Sequence, residues 1–82
     1  MIIKYFAWLK TITKIDEEVI EDSSIKDVKS LKKYLLNKYP KLKKYLSNND
    51  FIRVAINLSY TYENESIKND DEIALFPPVS GG

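Results

Sequence analysis

Neither cysteine nor histidine occurs among the 82 residues, glycine appears only twice and arginine only once, at Arg53. Without cysteine there can be no disulfide, no thiolate nucleophile and no zinc–thiolate site. Without histidine the commonest metal ligand and the commonest general base near neutral pH are missing as well. No metal site is expected. No apolar run approaches the roughly 20 residues needed to cross a bilayer, so no membrane association is expected. The opening Met1-Ile2-Ile3-Lys4-Tyr5-Phe6 lacks the charged, apolar, then small-residue order of a secretion signal. A chain without cysteine has no need of an oxidising compartment, which points to the cytoplasm. Any chemistry must therefore come from something other than the usual side chains.

What is present suits one small folded domain. Apolar residues make up 44% and charged residues 30% of the chain, a balance that favours a packed core over disorder. The net charge of +1 conceals an asymmetry: from Lys26 to Lys44 there are eight lysines and one acid, Asp27, against five basic and eleven acidic residues elsewhere. A basic block of this kind can be a solvated helix face or a surface for an acidic partner. The near absence of arginine and of any RNP-like element argues against nucleic acid.

The apolar pattern predicts strand, strand, helix, strand, strand, strand. Met1 to Trp8 reads as a strand with Ile3, Tyr5 and Ala7 facing inward and Lys4 and Phe6 outward. Lys10 to Lys14 reads as a connection, and Glu17 to Glu21 as a second strand with Val19 inside, forming a hairpin with the first. Ser24 is the expected N-cap of the main helix, with Asp27 in the capping-box position. Ile25, Val28, Leu31, Leu35 and Tyr39 form its apolar stripe, and Pro40 should end it near Lys38. Leu42 and Leu46 would pack from a further turn. Phe51 to Asn57 is expected as a strand with Ile52, Val54 and Ile56 inward and Arg53 and Ala55 outward. Ser59 to Tyr62 follows as a short strand, and Asn64 to Asp71 as a polar turn. Glu72 to Phe76 closes the set, with Ile73 and Leu75 inward and Ala74 and Phe76 outward. These elements make an α+β domain of β-grasp type, a mixed sheet with one main helix on one face. The domain spans residues 1–76, and 77–82 form an extended, flexible tail.

That tail, Pro77-Pro78-Val79-Ser80-Gly81-Gly82, carries the strongest signal. Two prolines cannot continue a sheet ladder and hold an extended course away from it, reaching at most about 20 Å. Both glycines of the protein stand at its end, where residues without Cβ atoms can thread a narrow tunnel. What such a tail delivers is the α-carboxylate of Gly82. A carboxylate is a poor acyl donor, whereas an acyl-adenylate has a good leaving group and admits attack by sulfur or nitrogen.

Phe76-Pro77-Pro78-Val79-Ser80-Gly81-Gly82 resembles the C-terminal signature of the molybdopterin synthase small subunits, a family of ubiquitin-like sulfur carriers. The resemblance takes in Phe6-Ala7, Lys38-Tyr39-Pro40-Lys41-Leu42, Ile56-Asn57, Tyr60 and Asp71-Glu72-Ile73-Ala74-Leu75, and so spans nearly the whole chain. Two positions depart from the family pattern. Lys10-Thr11 stands where an Arg-Glu pair is often found, and Asp70 stands where a turn glycine is common, a place where left-handed backbone is expected.

The resemblance implies that an ATP-dependent, ubiquitin-activating-like adenylyltransferase would adenylate Gly82. A sulfur donor system ending in a cysteine desulfurase would then convert it to a thiocarboxylate. No cofactor would be bound permanently; AMP and sulfur would be transient covalent modifications. The tail would enter the large subunit of molybdopterin synthase, in a heterotetramer, and sulfur would pass to cyclic pyranopterin monophosphate to build the dithiolene. Catalytic side chains would lie on that large subunit.

A docking surface is also needed, and strand alternation puts Phe6 and Phe76, joined by Tyr60, on the helix-free face, with Trp8 and Arg53 as rim contacts. Two other readings stay open. A carrier for thiamin thiazole synthesis or tRNA thiolation, or a conjugating modifier, would share Gly81-Gly82. A β-grasp interaction module would instead bind acidic partners through the lysine-rich helix.

Overall fold

A computed structural model of the chain describes residues 1–46, 52–61 and 63–77. Five strands form one mixed sheet: β1 (Ile2–Tyr5), β2 (Glu17–Val19), β3 (Arg53–Ile56), β4 (Ser59–Tyr60) and β5 (Glu72–Phe76), in the order β2-β1-β5-β3-β4. β1 and β5 run parallel, and every other pair is antiparallel. The helices are α1 (Leu9–Thr13), α2 (Val28–Lys38) and α3 (Lys43–Leu46), the last preceded by a 3-10 turn at Pro40–Leu42. This is the expected α+β, ubiquitin-like β-grasp: a mixed sheet with one main helix on one face.

One sheet face and the α2 stripe enclose the core. Ile3 and Ile73, paired across β1 and β5, are fully buried, as are Tyr5 and Leu75 in the next matching pair. Val54 of β3 lies opposite Leu75 in the ladder and joins them. From above they are covered by Val28, Leu31 and Leu35 of α2, and by Leu9, Leu42 and Leu46. Ile25 is buried and Tyr39 half-buried, so the apolar stripe of the helix faces the sheet. α2 ends at Lys38 because Pro40 has no N–H for a further helical bond.

Several local expectations are corrected. The N-cap of α2 is Asp27, not Ser24: Asp27 accepts from the Ser30 N–H at 2.8 Å, while the Asp27 N–H donates to Ser30 Oγ at 3.1 Å. Ser24 is engaged by Asp22, whose Oδ1 accepts from both its N–H and its hydroxyl, so it is not available to the helix. The stretch read as a connection at Lys10 to Lys14 holds α1. β1 stops at Tyr5, and Ala7, expected inside, is exposed at φ 56° where the chain turns into α1. β2 ends at Val19, which is 71% exposed; Glu18 and Ile20 turn inward in its place. Ala55 does occupy the helix-free face but is buried, its small side chain paired with Ala74 on one side and Tyr60 on the other. Asp70 is not left-handed; that geometry falls at Ala7, Lys14, Asn57 and Leu58 among the described residues. β4 covers only Ser59–Tyr60 of the expected strand, and Tyr62 and Phe51 lie outside the described residues.

Candidate functional site

β5 occupies the middle of the sheet, between β1 and β3, and its last residue is Phe76. The alternation in Glu72-Ile73-Ala74-Leu75-Phe76 forces this strand, since both inward positions are large aliphatics. The ladder with β1 continues one residue further, where the Phe6 N–H donates to the Leu75 carbonyl at 3.0 Å. Pro77, half-buried, then ends the strand. Pro78, Val79, Ser80, Gly81 and Gly82 lie outside the described residues.

Around this exit the helix-free face carries the aromatic residues singled out from the sequence. Phe76 and Tyr60 are in contact, with ring centroids 5.4 Å apart and planes inclined by 39°. Tyr60 is 60% exposed and Phe76 half-buried, and Phe6, one residue past the end of β1, is 44% exposed. Arg53 faces Phe76 across the ladder and is exposed. At the other end of the same strands Lys4 and Glu72 form an ion pair at 2.9 Å, which holds the Lys4 ammonium above its usual pKa. The face is thus an apolar, partly aromatic surface with polar ends, the composition of an interface core and rim. Trp8 does not join this cluster through its ring: the ring packs on Tyr45 of α3 at 4.6 Å.

Two polar networks hold these strands in place. Glu18 Oε2 accepts from the hydroxyls of Tyr5 and Tyr39, each at 2.6 Å, and Glu18 Oε1 accepts from the Lys38 ammonium. Burial opposes ionisation of Glu18, but hydrogen bonds from Lys38, Tyr39 and Tyr5 outweigh it and hold its carboxyl below the usual range. Burial, aided by the bond to Glu18, pushes the Tyr5 phenol well above its ordinary value. On the other side of β5, the Asn57 amide donates to Asp71 at 2.8 Å, and its Oδ1 accepts from the Glu72 N–H at 2.9 Å. The Lys68 N–H also donates to Asp71, and these bonds lower the Asp71 pKa. Neither network is legible in the sequence: Glu18 lies in a strand of three residues and Asp71 just before β5, and neither position belongs to a periodic pattern.

The lysines of α2 are mostly solvated. Lys29 and Lys33 are exposed, Lys32 is half-buried, and Lys38 is bound to Glu18. Among the described residues no helix is long and apolar enough to cross a membrane.

Against this geometry, the model of the ThiS family matches residues 3–82, which includes the tail. A molybdopterin synthase sulfur carrier subunit from Haemophilus influenzae is 32% identical over 78 residues, covering 95% of this chain and 94% of that protein. Among solved structures, a molybdopterin converting factor subunit 1 from Pyrococcus furiosus superimposes with a TM-score of 0.82 at 29% identity, covering 95% of each chain. Small archaeal modifier protein 1 of Haloferax volcanii gives 0.78 at 28% identity, covering 99% of this chain and 97% of its own. A complex of subunits 1 and 2 of molybdopterin-converting factor from Helicobacter pylori contains a chain that matches at 0.65 and 28% identity, with 99% and 96% covered.

Proposed function

The chain belongs to the ThiS family, and from that premise we propose that it is the sulfur carrier subunit of a molybdopterin synthase. The observation that carries the reading is the family match running through Gly82, six residues after the central strand β5 ends at Phe76. Residues 1–76 act as the folded grip and 77–82 as the working tail.

The carboxylate of Gly82 attacks the α-phosphate of ATP on an adenylyltransferase, releasing pyrophosphate and leaving an acyl-adenylate. A sulfur nucleophile from the donor system then attacks the acyl carbon and AMP departs. With a persulfide as that nucleophile the adduct is an acyl disulfide; a thiol of the donor system attacks the sulfur on the donor side, forming a donor disulfide and releasing Gly82 as a thiocarboxylate. In the large subunit its sulfur displaces an oxygen substituent, released as water or phosphate, from a side-chain carbon of the pterin precursor. Water then hydrolyses the resulting thioester, leaving the sulfur on the pterin and returning Gly82 to a carboxylate. Two rounds supply the two sulfurs of the dithiolene. Gly81 gives clearance in the tunnel, and Pro77, Pro78, Val79 and Ser80 set the reach of the tail. Phe6, Tyr60 and Phe76 dock the partner, and the resemblance to one subunit of the Helicobacter pylori complex supports a large-subunit partner. This chain supplies no catalytic side chain; the chemistry at its carboxylate is activated elsewhere.

Intact-mass measurement after incubation with an activating enzyme, ATP and a sulfur source tests the reading. One oxygen replaced by sulfur adds about 16 Da, and deletion of Gly81-Gly82 abolishes the change while leaving the fold intact. An unchanged mass, under conditions that modify a related carrier, would refute it. The likeness to small archaeal modifier protein 1 favours a second reading, transfer of the activated acyl group to a lysine of another protein. Such products appear as a ladder of larger conjugates that resist reduction, where the carrier reading yields none.

A further inference from the structure

A shallow groove of about 600 Å³ opens between α1 and α3, floored by Ile12, Pro40 and Tyr45 and rimmed by Lys41, Lys43 and Lys44. No acid lines it. Lys29 and Lys33 are exposed and lie outside this groove, while three other lysines meet carboxylates: Lys4 with Glu72, Lys10 with Asp16 and Lys38 with Glu18. Among the described residues none of the three groove lysines has such a partner; Lys44 lies over the Tyr45 ring at 5.1 Å, a contact that leaves its charge uncompensated. The only tryptophan, Trp8, packs on Tyr45, with ring centroids 4.6 Å apart.

We propose that this groove is a docking site for an acidic peptide segment of a partner protein, one carrying an aliphatic or aromatic anchor. The apolar floor accepts the anchor, and the three cations meet carboxylates on either side of it. A nucleic acid fits less well. Its contacts would call for phosphate-binding arginine and free aromatic faces, whereas Trp8 and Tyr45 are already paired with each other. The groove shares none of Phe6, Tyr60 and Phe76, so it is separate from the surface beside the tail. It gives the lysine block a role that does not depend on sulfur chemistry.

The probe is a synthetic peptide of about ten residues with Glu flanking a Leu-Phe anchor. It is titrated into the full chain and followed by Trp8 fluorescence and by amide shifts. Saturable shifts at Ile12, Lys41, Lys43, Lys44 and Tyr45 are expected, with affinity falling several-fold between about 50 and about 300 mM salt. The combined change Lys41→Glu, Lys43→Glu and Lys44→Glu should weaken binding about tenfold or more, while Lys29→Glu with Lys33→Glu changes it by less than about twofold. A peptide with Lys in place of Glu should not bind. Shifts centred on Phe6, Tyr60 and Phe76, equal losses in both variants, or tighter binding of an oligouridylate of similar length would each overturn the proposal. The titration involves no ATP or sulfur, so its outcome is independent of whether Gly82 becomes a thiocarboxylate.

Discussion

On the helix side of the sheet Ile3, Tyr5, Ile73 and Leu75 are sealed from solvent, whereas one residue along the same strands Ile2, Phe6 and Phe76 keep part of their surface in water. Backbone and ladder are shared, so the difference comes from what lies above each face. The helix side has α2 and the flanking leucines, and there apolar area does its work within the chain. The open side carries paired Ala55 and Ala74 at its middle and the Tyr60 and Phe76 rings at the end of β5. Alternation lets one strand bury its odd residues and leave its even ones partly open to solvent.

Substitutions on neighbouring β5 residues separate the two faces most sharply. Leu75→Ala should cost about 3–4 kcal/mol in urea denaturation, because the fully enclosed site cannot collapse around the gap. A loss below about 1 kcal/mol would mean that this face is not a close-packed core. Phe76→Ala should change stability by less than about 1 kcal/mol yet weaken association with the large subunit about tenfold. Unchanged affinity by calorimetry would remove the aromatic patch from the interface.

A smaller effect is expected where the helix side meets the edge strand. Glu18→Gln keeps the shape but loses charge-assisted bonds from Lys38 and two tyrosines, costing about 1–2 kcal/mol. Since the folded state lowers the Glu18 pKa, its contribution is full above the unfolded value near about 4.3 and is lost as pH falls through the folded one. Melting temperature should therefore drop less steeply below about pH 4.5 in the variant than in the parent. Parallel curves would deny Glu18 a share in acid unfolding.

The smallest change should be a gain. Asn57 and Leu58 both have positive φ in the two-residue turn between β3 and β4, and Leu58 is 87% exposed. Leu58→Gly removes the Cβ strain without uncovering the core, and should stabilise by about 0.5–1 kcal/mol. A lower melting temperature would show that the Leu58 side chain contributes contacts worth more than the strain.

How legible these features were follows from their physics. β5 was read to the residue because strict alternation runs into two prolines, and the α2 stripe because its spacing admits only one buried face. The aromatic face followed from β5 by parity, and Tyr60 joined it through pairing with Ala55. The N-cap is not legible because Ser24 and Asp27 are both good caps, and only the reciprocal bond with Ser30 distinguishes them. α1 has five residues, too few to display a period, and Thr11-Ile12-Thr13 is β-branched. In β2 either Val19 or Ile20 satisfies the apolar pattern; the register against β1, with Ile2 opposite Val19, turns Val19 out. The left-handed positions carry Ala, Lys, Asn and Leu, none of which marks them as glycine would.

The central place of β5 also has a mechanical consequence. Its ladder with β1 runs parallel, from Ile2 opposite Glu72 to Tyr5 opposite Leu75, and its ladder with β3 runs antiparallel, from Ile56 opposite Ile73 to Arg53 opposite Phe76. A pull applied beyond Phe76 is directed along the strand, so hydrogen bonds on both flanks are loaded together in shear rather than opened one after another. An edge strand would peel under the same load. Load entering at Phe76 thus falls on a strand that is bonded along both flanks.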